Sequence, residues 1–260
     1  MHKVVTFGEI MMRLNPAGYL RLSQADTLEV SYAGGEANVA VAVAQMGMPA
    51  AFVTKVPDND LGENVIREMR RWGVDASQIR KGGPRLGVYF VEKGASQRAS
   101  KVIYDRAGSS IALAQPGEFD WKAIFAGADW FHFTGITPAL GDGCAQLCME
   151  AVLAAKAAGL TVSCDLNYRK KLWSREKAGA VMSPLMSHVD VCIANESDAA
   201  DVFGIQAAHS DVEAGQLDTA AYEDVARQIA ERFGCSRVAI TLRQSISASV
   251  NVWGGMLHEG

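Results

Sequence analysis

From Asp129 onward short apolar runs alternate with longer amphipathic ones, and nothing else in the sequence constrains the fold as much. A strand over Asp129 to Thr134 is predicted to precede a helix over Gly143 to Ala158. A strand over Leu160 to Asp165 precedes a helix over Ser174 to Ser187. A strand over Val189 to Ala194 precedes helices over Glu196 to Phe203 and Thr219 to Phe233, and a strand over Arg237 to Leu242 follows. Strands separated by helices cannot form hairpins, so the pattern implies an α/β fold with a mostly parallel sheet covered on both faces. Ligands of such sheets bind beyond the carboxyl ends of the strands. Those ends read Thr134-Gly135, Asp165-Leu166-Asn167, Asn195-Glu196 and Thr241-Leu242-Arg243, polar or glycine-bearing directly after apolar runs.

The first half is organised differently. Lys3 to Gly8, Leu28 to Ala33 and Ala50 to Lys55 read as strands, with helices over Gly35 to Met46 and Asp60 to Trp72. Leu86 to Lys93 and Ala99 to Arg106 read as a hairpin turning at Gly94, Ala95 and Ser96, less apolar than the other strands and suited to an exposed sheet. A formal net charge of -4 with no basic run argues against nucleic-acid binding. Glu9 and Arg13 interrupt the N-terminal apolar run, and no stretch is long enough to span a bilayer. Five cysteines without a C-x-x-C pair fit packing residues in a reducing cytoplasm.

Four constellations carry chemical content, each with a plain structural explanation beside it. Gly34-Gly35-Glu36-Ala37-Asn38 follows a strand and opens a helix. Its glycines permit close backbone approach and Asn38 suits a sugar hydroxyl, although a ligand-free turn would need the same residues. On the hairpin, alternation puts Tyr104 and Arg106 on one face, with Tyr89 on the partner strand; an oxygen-rich anion or a solvated sheet face fits equally. Arg169, in Asp165-Leu166-Asn167-Tyr168-Arg169, can bind a carboxylate through two parallel hydrogen bonds or belong to a basic helix-entry loop. Asn195-Glu196-Ser197-Asp198 could organise the waters of Mg²⁺ or simply start a helix. Dinucleotide and P-loop glycine fingerprints are missing.

Taken in order, Gly8-Glu9-Ile10-Met11-Met12-Arg13-Leu14, Gly34-Gly35-x-x-Asn38, Lys55-Val56-Pro57-Asp58-Asn59-Asp60-x-Gly62 and Asn195-Glu196 resemble the ribokinase-like (PfkB) carbohydrate kinases over nearly the whole chain. The resemblance implies one domain over residues 1–260, a Rossmann-like ribokinase fold whose parallel sheet is flanked by helices. A small β-sheet lid would come from about residues 13–33 and 86–106, close over the sugar and allow a homo-oligomer. Within the family, Tyr104-x-Arg106 with Gly108-Ser109-Ser110, and Asp165-x-Asn167-x-Arg169 with Leu172-Trp173, are most similar to 2-keto-3-deoxygluconate kinases.

That resemblance implies ATP and Mg²⁺ as cofactors and a small sugar acid as substrate. Gly34, Gly35 and Asn38 would hold sugar hydroxyls, Tyr89, Tyr104 and Arg106 would contact the substrate, and Arg169 would bind its carboxylate. Asn167, Asn195, Thr241 and Arg243 would line the nucleotide side, with Asn195 and Asp198 near magnesium. The family's G-A-G-D signature, whose Asp takes the proton from the attacking hydroxyl, does not occur in these 260 residues, so no catalytic base is named and slow or no phosphorylation is expected of this chain. A kinase of fructose, ribose or a nucleoside and a non-catalytic sugar-binding protein are the competing readings. An oxidoreductase is disfavoured by the missing glycine fingerprint.

Overall fold

The computed structural model describes residues 2–206, 219–248 and 250–260. Two sheets organise them. The larger runs in the order β12-β11-β10-β9-β8-β1-β4-β5 and the smaller in the order β3-β2-β6-β7. Their strands are β1 (Val4–Phe7), β2 (Met11–Asn15), β3 (Glu29–Ala33), β4 (Ala50–Val56), β5 (Ile79–Lys81), β6 (Val88–Glu92), β7 (Lys101–Asp105), β8 (Trp130–Thr134), β9 (Thr161–Asp165), β10 (Val191–Ala194), β11 (Arg237–Ser245) and β12 (Asn251–Glu259). The pairings β8 with β9, β9 with β10, β10 with β11 and β4 with β5 are parallel. The expected α/β class with a mostly parallel sheet and a second small one is what the chain forms.

The chain divides into two compact units. One comprises Thr6–Ala114 with Arg243–Val252, the other His2–Val5, Gln115–Leu242 and Trp253–Gly260. In the first, helices α1 (Gly35–Gln45) and α2 (Asp60–Arg71) cover β4. Asn59 caps α2 by accepting from the amides of Leu61 and Gly62 at 3.0 and 3.3 Å. Val65, Ile66 and Met69, at helical spacing, turn into a core with Phe52, Val56 and Ile10.

Within that unit the small sheet has two unlike faces. Residues paired across neighbouring strands share a face. The pairs Ser31–Arg13, Arg13–Tyr89 and Tyr89–Tyr104 therefore form one polar row. The pairs Leu14–Val30, Leu14–Phe90 and Phe90–Ile103 form an apolar row on the other face, with Val30 and Ile103 exposed.

In the second unit Phe131 of β8 stacks on Phe133 and meets Trp121 and Phe125 edge-on, Trp121 being placed by the short helix α3 (Trp121–Ile124). Helices α4 (Asp142–Ala157), α5 (Arg175–Met186), α6 (Glu196–Phe203) and α7 (Thr219–Phe233) follow the expected alternation. Ser174 caps α5 and Asn195 caps α6 through their side-chain oxygens.

Three strands were not legible. β2 carries Arg13 in its centre, β5 is three residues with two charges at the sheet edge, and β12 contains Gly254 and Gly255. β11 also runs to Ser245 rather than ending at Leu242. β12 returns along it, with Arg237 bonded to Glu259 at 2.7 Å and Arg243 to Asn251 at 2.9 Å. Cross-strand pairing outweighed weak local strand preference in each case.

Candidate sugar-acid site

The glycine pair sits where β3 passes into α1. Gly34 is extended, so its backbone angles would suit any residue, but a Cβ there would lie 1.9 Å from the carbonyl oxygen of Glu9. Close backbone packing therefore requires this glycine, with or without a ligand. Gly34 offers no side chain to cap α1, which leaves amides at the helix start without a side-chain acceptor. Asn38 is exposed one turn in, its amide bonded to the Gly34 carbonyl at 2.8 Å.

Tyr89, Tyr104 and Arg106 come together. The two rings stack with centroids 5.7 Å apart, and the Arg106 guanidinium carbon lies 5.6 Å from the Tyr104 centroid. Burial pushes the Tyr89 hydroxyl above its usual pKa, opposed by the charge of Arg13 and reinforced by Tyr104. Arg106 lies one residue past β7, and its placement depends on a partner to which the sequence assigned no role. Its Nε donates to Glu9 Oε2 at 2.8 Å, its Nη2 donates to the same oxygen, and Ser109 Oγ donates to Glu9 Oε1 at 2.7 Å. Glu9 is 2 % exposed. A Cβ on Gly87 would stand 2.8 Å from Glu9 Oε1, so the absence of a side chain there makes room for the carboxylate. Arg106 thus spends one edge on Glu9 and keeps the Nη1 side for another acceptor. The Glu9–Arg106 pair carries no net charge.

Arg13 also received no role in the sequence reading. It is opposite Tyr89 in the polar row, its Nε is buried without a hydrogen-bond partner, and no carboxylate pairs with it among the described residues. Period-two alternation through β2 could have placed it beside the tyrosines, had that strand been recognised.

In the second unit the loop after β9 carries Asn167 and Arg169. Asn167 has φ 38°, and its amide is held by Asp165 Oδ1 at 3.1 Å. Arg169 is exposed, with one Nη1 bond to the Tyr168 carbonyl at 2.9 Å. Asp198, in the first turn of α6, is buried and accepts the Tyr168 amide at 3.2 Å. Burial pushes its carboxyl pKa up, while nearby Arg169 and the two backbone amides pull the other way.

The two residues expected near magnesium also bond to their own surroundings. The Asn195 side-chain oxygen is taken by the Asp198 amide at 2.8 Å, and Asp198 anchors the loop that bears Arg169. No group of three metal-ligating side chains occurs among the described residues. On the nucleotide side, Thr241 is exposed with its hydroxyl 3.4 Å from the Ala194 carbonyl, and Arg243 holds Asn251 through Nε and Nη2 at 3.1 and 2.9 Å.

Comparison with known proteins gives this geometry a context. The model of the pfkB family carbohydrate kinases matches residues 1–242. A 2-dehydro-3-deoxygalactonokinase of Haloferax volcanii is 41% identical over 196 residues, 75% of this chain and 61% of that protein. A 2-dehydro-3-deoxygluconokinase of Thermoproteus tenax is 30% identical over 210 residues, 79% of this chain and 63% of that one. The crystal structure of 2-dehydro-3-deoxygluconokinase from Thermotoga maritima superposes with a TM-score of 0.94 at 49% identity, covering 99% of this chain and 76% of that chain. The chain spans about three fifths of the length of those two curated relatives.

Proposed function

The chain belongs to the pfkB family of carbohydrate kinases, and on that premise we propose that it serves the ATP-dependent phosphorylation of 2-keto-3-deoxygluconate to 2-keto-3-deoxy-6-phosphogluconate. One observation carries the acid-sugar part of this reading. A guanidinium held by a buried carboxylate stands beside two stacked tyrosines on one face of the small sheet, with one N–H edge left to give. Planar, paired donors beside hydroxyl-bearing rings suit a ligand that is both carboxylate and polyol. The names of the relatives support the same substrate class.

In the proposed mechanism Tyr89, Tyr104 and Arg106 contact the substrate from the small sheet and Asn38 holds sugar hydroxyls; Arg169, in the loop after β9, is proposed by itself as a carboxylate contact. The helix start at Gly34-Gly35 adds backbone donors. Alignment and charge stabilisation are the main work in phosphoryl transfer. ATP would supply the phosphoryl group and Mg²⁺ would offset its charge, with Asn195 and Asp198 proposed near the metal through water; no described residue is given the role of base. Asn167, Asn195, Thr241 and Arg243 are the proposed nucleotide-side residues. The exposed apolar row on the other face of the small sheet supports a homo-oligomer, and light scattering that finds only monomers at high concentration would end that reading. Five buried thiols support a cytoplasmic setting. No helix among the described residues is long and apolar enough to cross a membrane.

The test is a panel of 2-keto-3-deoxygluconate, its C4 epimer, fructose and ribose, followed by calorimetry and by ADP release. Arg169→Ala should weaken the keto acids by roughly 1.5–3 kcal/mol, the range of a charge-assisted hydrogen bond, and leave neutral sugars nearly unchanged. Equal losses for acids and neutral sugars would remove the carboxylate role. A neutral sugar bound and phosphorylated better than either acid would favour the fructose or ribose reading. Acid affinity without ADP release would favour a binding protein.

A further inference from the structure

The proposed acid site has a charge deficit on the small sheet. Arg106 contributes directed donors, but Glu9 takes its charge and two of its N–H bonds. An acidic ligand desolvated there needs a cation that is not already neutralised. Among the described residues, no acid beside the polar face forms an ion pair with Arg13. Glu9 is shared between Arg106 and Ser109. Glu29, paired with Asn15 one row along, accepts from Asn15 Nδ2 at 2.7 Å. Asp105 belongs to the opposite face, where both its oxygens are bound by Arg85 at 2.8 Å.

Among the described residues of the polar row, Arg13 is the cation without an ion pair. It stands in the centre strand of the polar row, directly between Ser31 and Tyr89. Its Nε is buried without an acceptor. Its field reaches the Tyr89 hydroxyl, where it partly offsets the effect of burial. A buried donor of a charged group without a partner is costly, and such a group is retained when something outside the chain completes it.

We propose that Arg13 supplies the net positive charge that holds an acidic sugar on the small sheet, with Arg106 fixed by Glu9 as a neutralised, orienting donor. This rests on the keto-acid reading above and assigns its specificity to a residue outside the set first expected to touch the substrate. Arg13 then separates sugar acids from neutral sugars of the same size, because a neutral sugar has no charge to answer it.

Calorimetric titration of this chain with 2-keto-3-deoxygluconate and with fructose tests the assignment, using Arg13→Met and Arg13→Lys. The methionine variant keeps length and loses charge; the lysine variant keeps charge and guards against a folding defect, which a thermal melt would also expose. Loss of one charge-assisted contact corresponds to about 10- to 100-fold weaker acid binding. That loss is expected for Arg13→Met, with fructose nearly unaffected and with Arg13→Lys recovering most of the preference for the acid. If the unaltered chain prefers the acid and Arg13→Met keeps the same preference, the Arg13 assignment alone is overturned. If both variants weaken both ligands alike, Arg13 is structural and the assignment is again wrong. If the unaltered chain shows no preference, or binds neither ligand, the keto-acid reading fails and this inference fails with it.

Discussion

The unit that carries the small sheet buries a carboxylate together with its counter-charge, whereas the unit built on β8 to β10 buries titratable groups pushed towards their neutral forms. In the first, Glu9 is enclosed with Arg106 and Ser109. In the second, burial pushes His132 down to about 4 and the Cys164 and Cys192 thiols well above their usual range, and it raises Asp198. Among the described residues His132 is joined to Ser163 alone, through Nδ1 at 2.9 Å, and its Nε2 has no partner; Ser163 Oγ also accepts from Trp130 Nε1 at 2.7 Å. A buried pair is intolerant of losing one member, while neutralised groups tolerate their surroundings until the solvent forces charge on them.

Three measurements would break or sharpen this contrast. The largest effect is expected for Glu9→Ala, which leaves the Arg106 charge nearly buried and uncompensated. Urea unfolding should show a loss of about 3–5 kcal/mol, with the double variant Glu9→Ala/Arg106→Met recovering the greater part. A single-variant loss near zero would mean that the pair is solvated and the contrast is false.

Acidification comes next. The folded pKa of His132 lies below its ordinary value of 6.5, so its stabilising contribution is full above 6.5 and falls away as pH drops towards 4. From pH 7 to pH 5 linkage gives a loss of about 2 kcal/mol that His132→Gln should not show. Parallel pH profiles for parent and variant would remove His132 from the acid-sensitive set.

The smallest effect concerns Asp198. Its raised folded pKa makes ionisation costlier in the folded chain, so its contribution declines as pH rises above the ordinary value of 3.8. Asp198→Asn should therefore gain on the parent as pH rises above 3.8, read as a growing difference in urea midpoints. A constant difference would show that Arg169 and the backbone amides offset burial and would group Asp198 with the paired carboxylate of the other unit.

Arg169 and Arg106 show how far the site could be read in advance. Arg169 follows a predicted strand end, a position that suits a ligand contact or a helix-entry loop alike. Arg106 was legible as a neighbour of Tyr104 through the two-residue period, yet its clamp was not, because Glu9 is ninety-seven residues away. Asp198 was legible as a first-turn residue of α6, but its bond to the loop after β9 was not. Helix starts attract acids for several reasons, and the bond from the Tyr168 amide spans thirty residues of sequence. Gly34 illustrates the converse: the residue was noticed, but its cause is the Glu9 carbonyl 1.9 Å from any Cβ.

Hydrophobic periodicity, capping residues and glycine-bearing strand ends act over a few neighbours, so the linear chain already specified alternating β and α elements, the parallel order they imply and the family they resemble. Which charges are spent and which remain free was settled only when distant strands paired, since register across β2, β6 and β7 brings Arg13, Tyr89, Tyr104, Arg106 and Glu9 into one neighbourhood. Electrostatic energy depends on distance in space and on exclusion of water, and neither quantity is written in the order of residues.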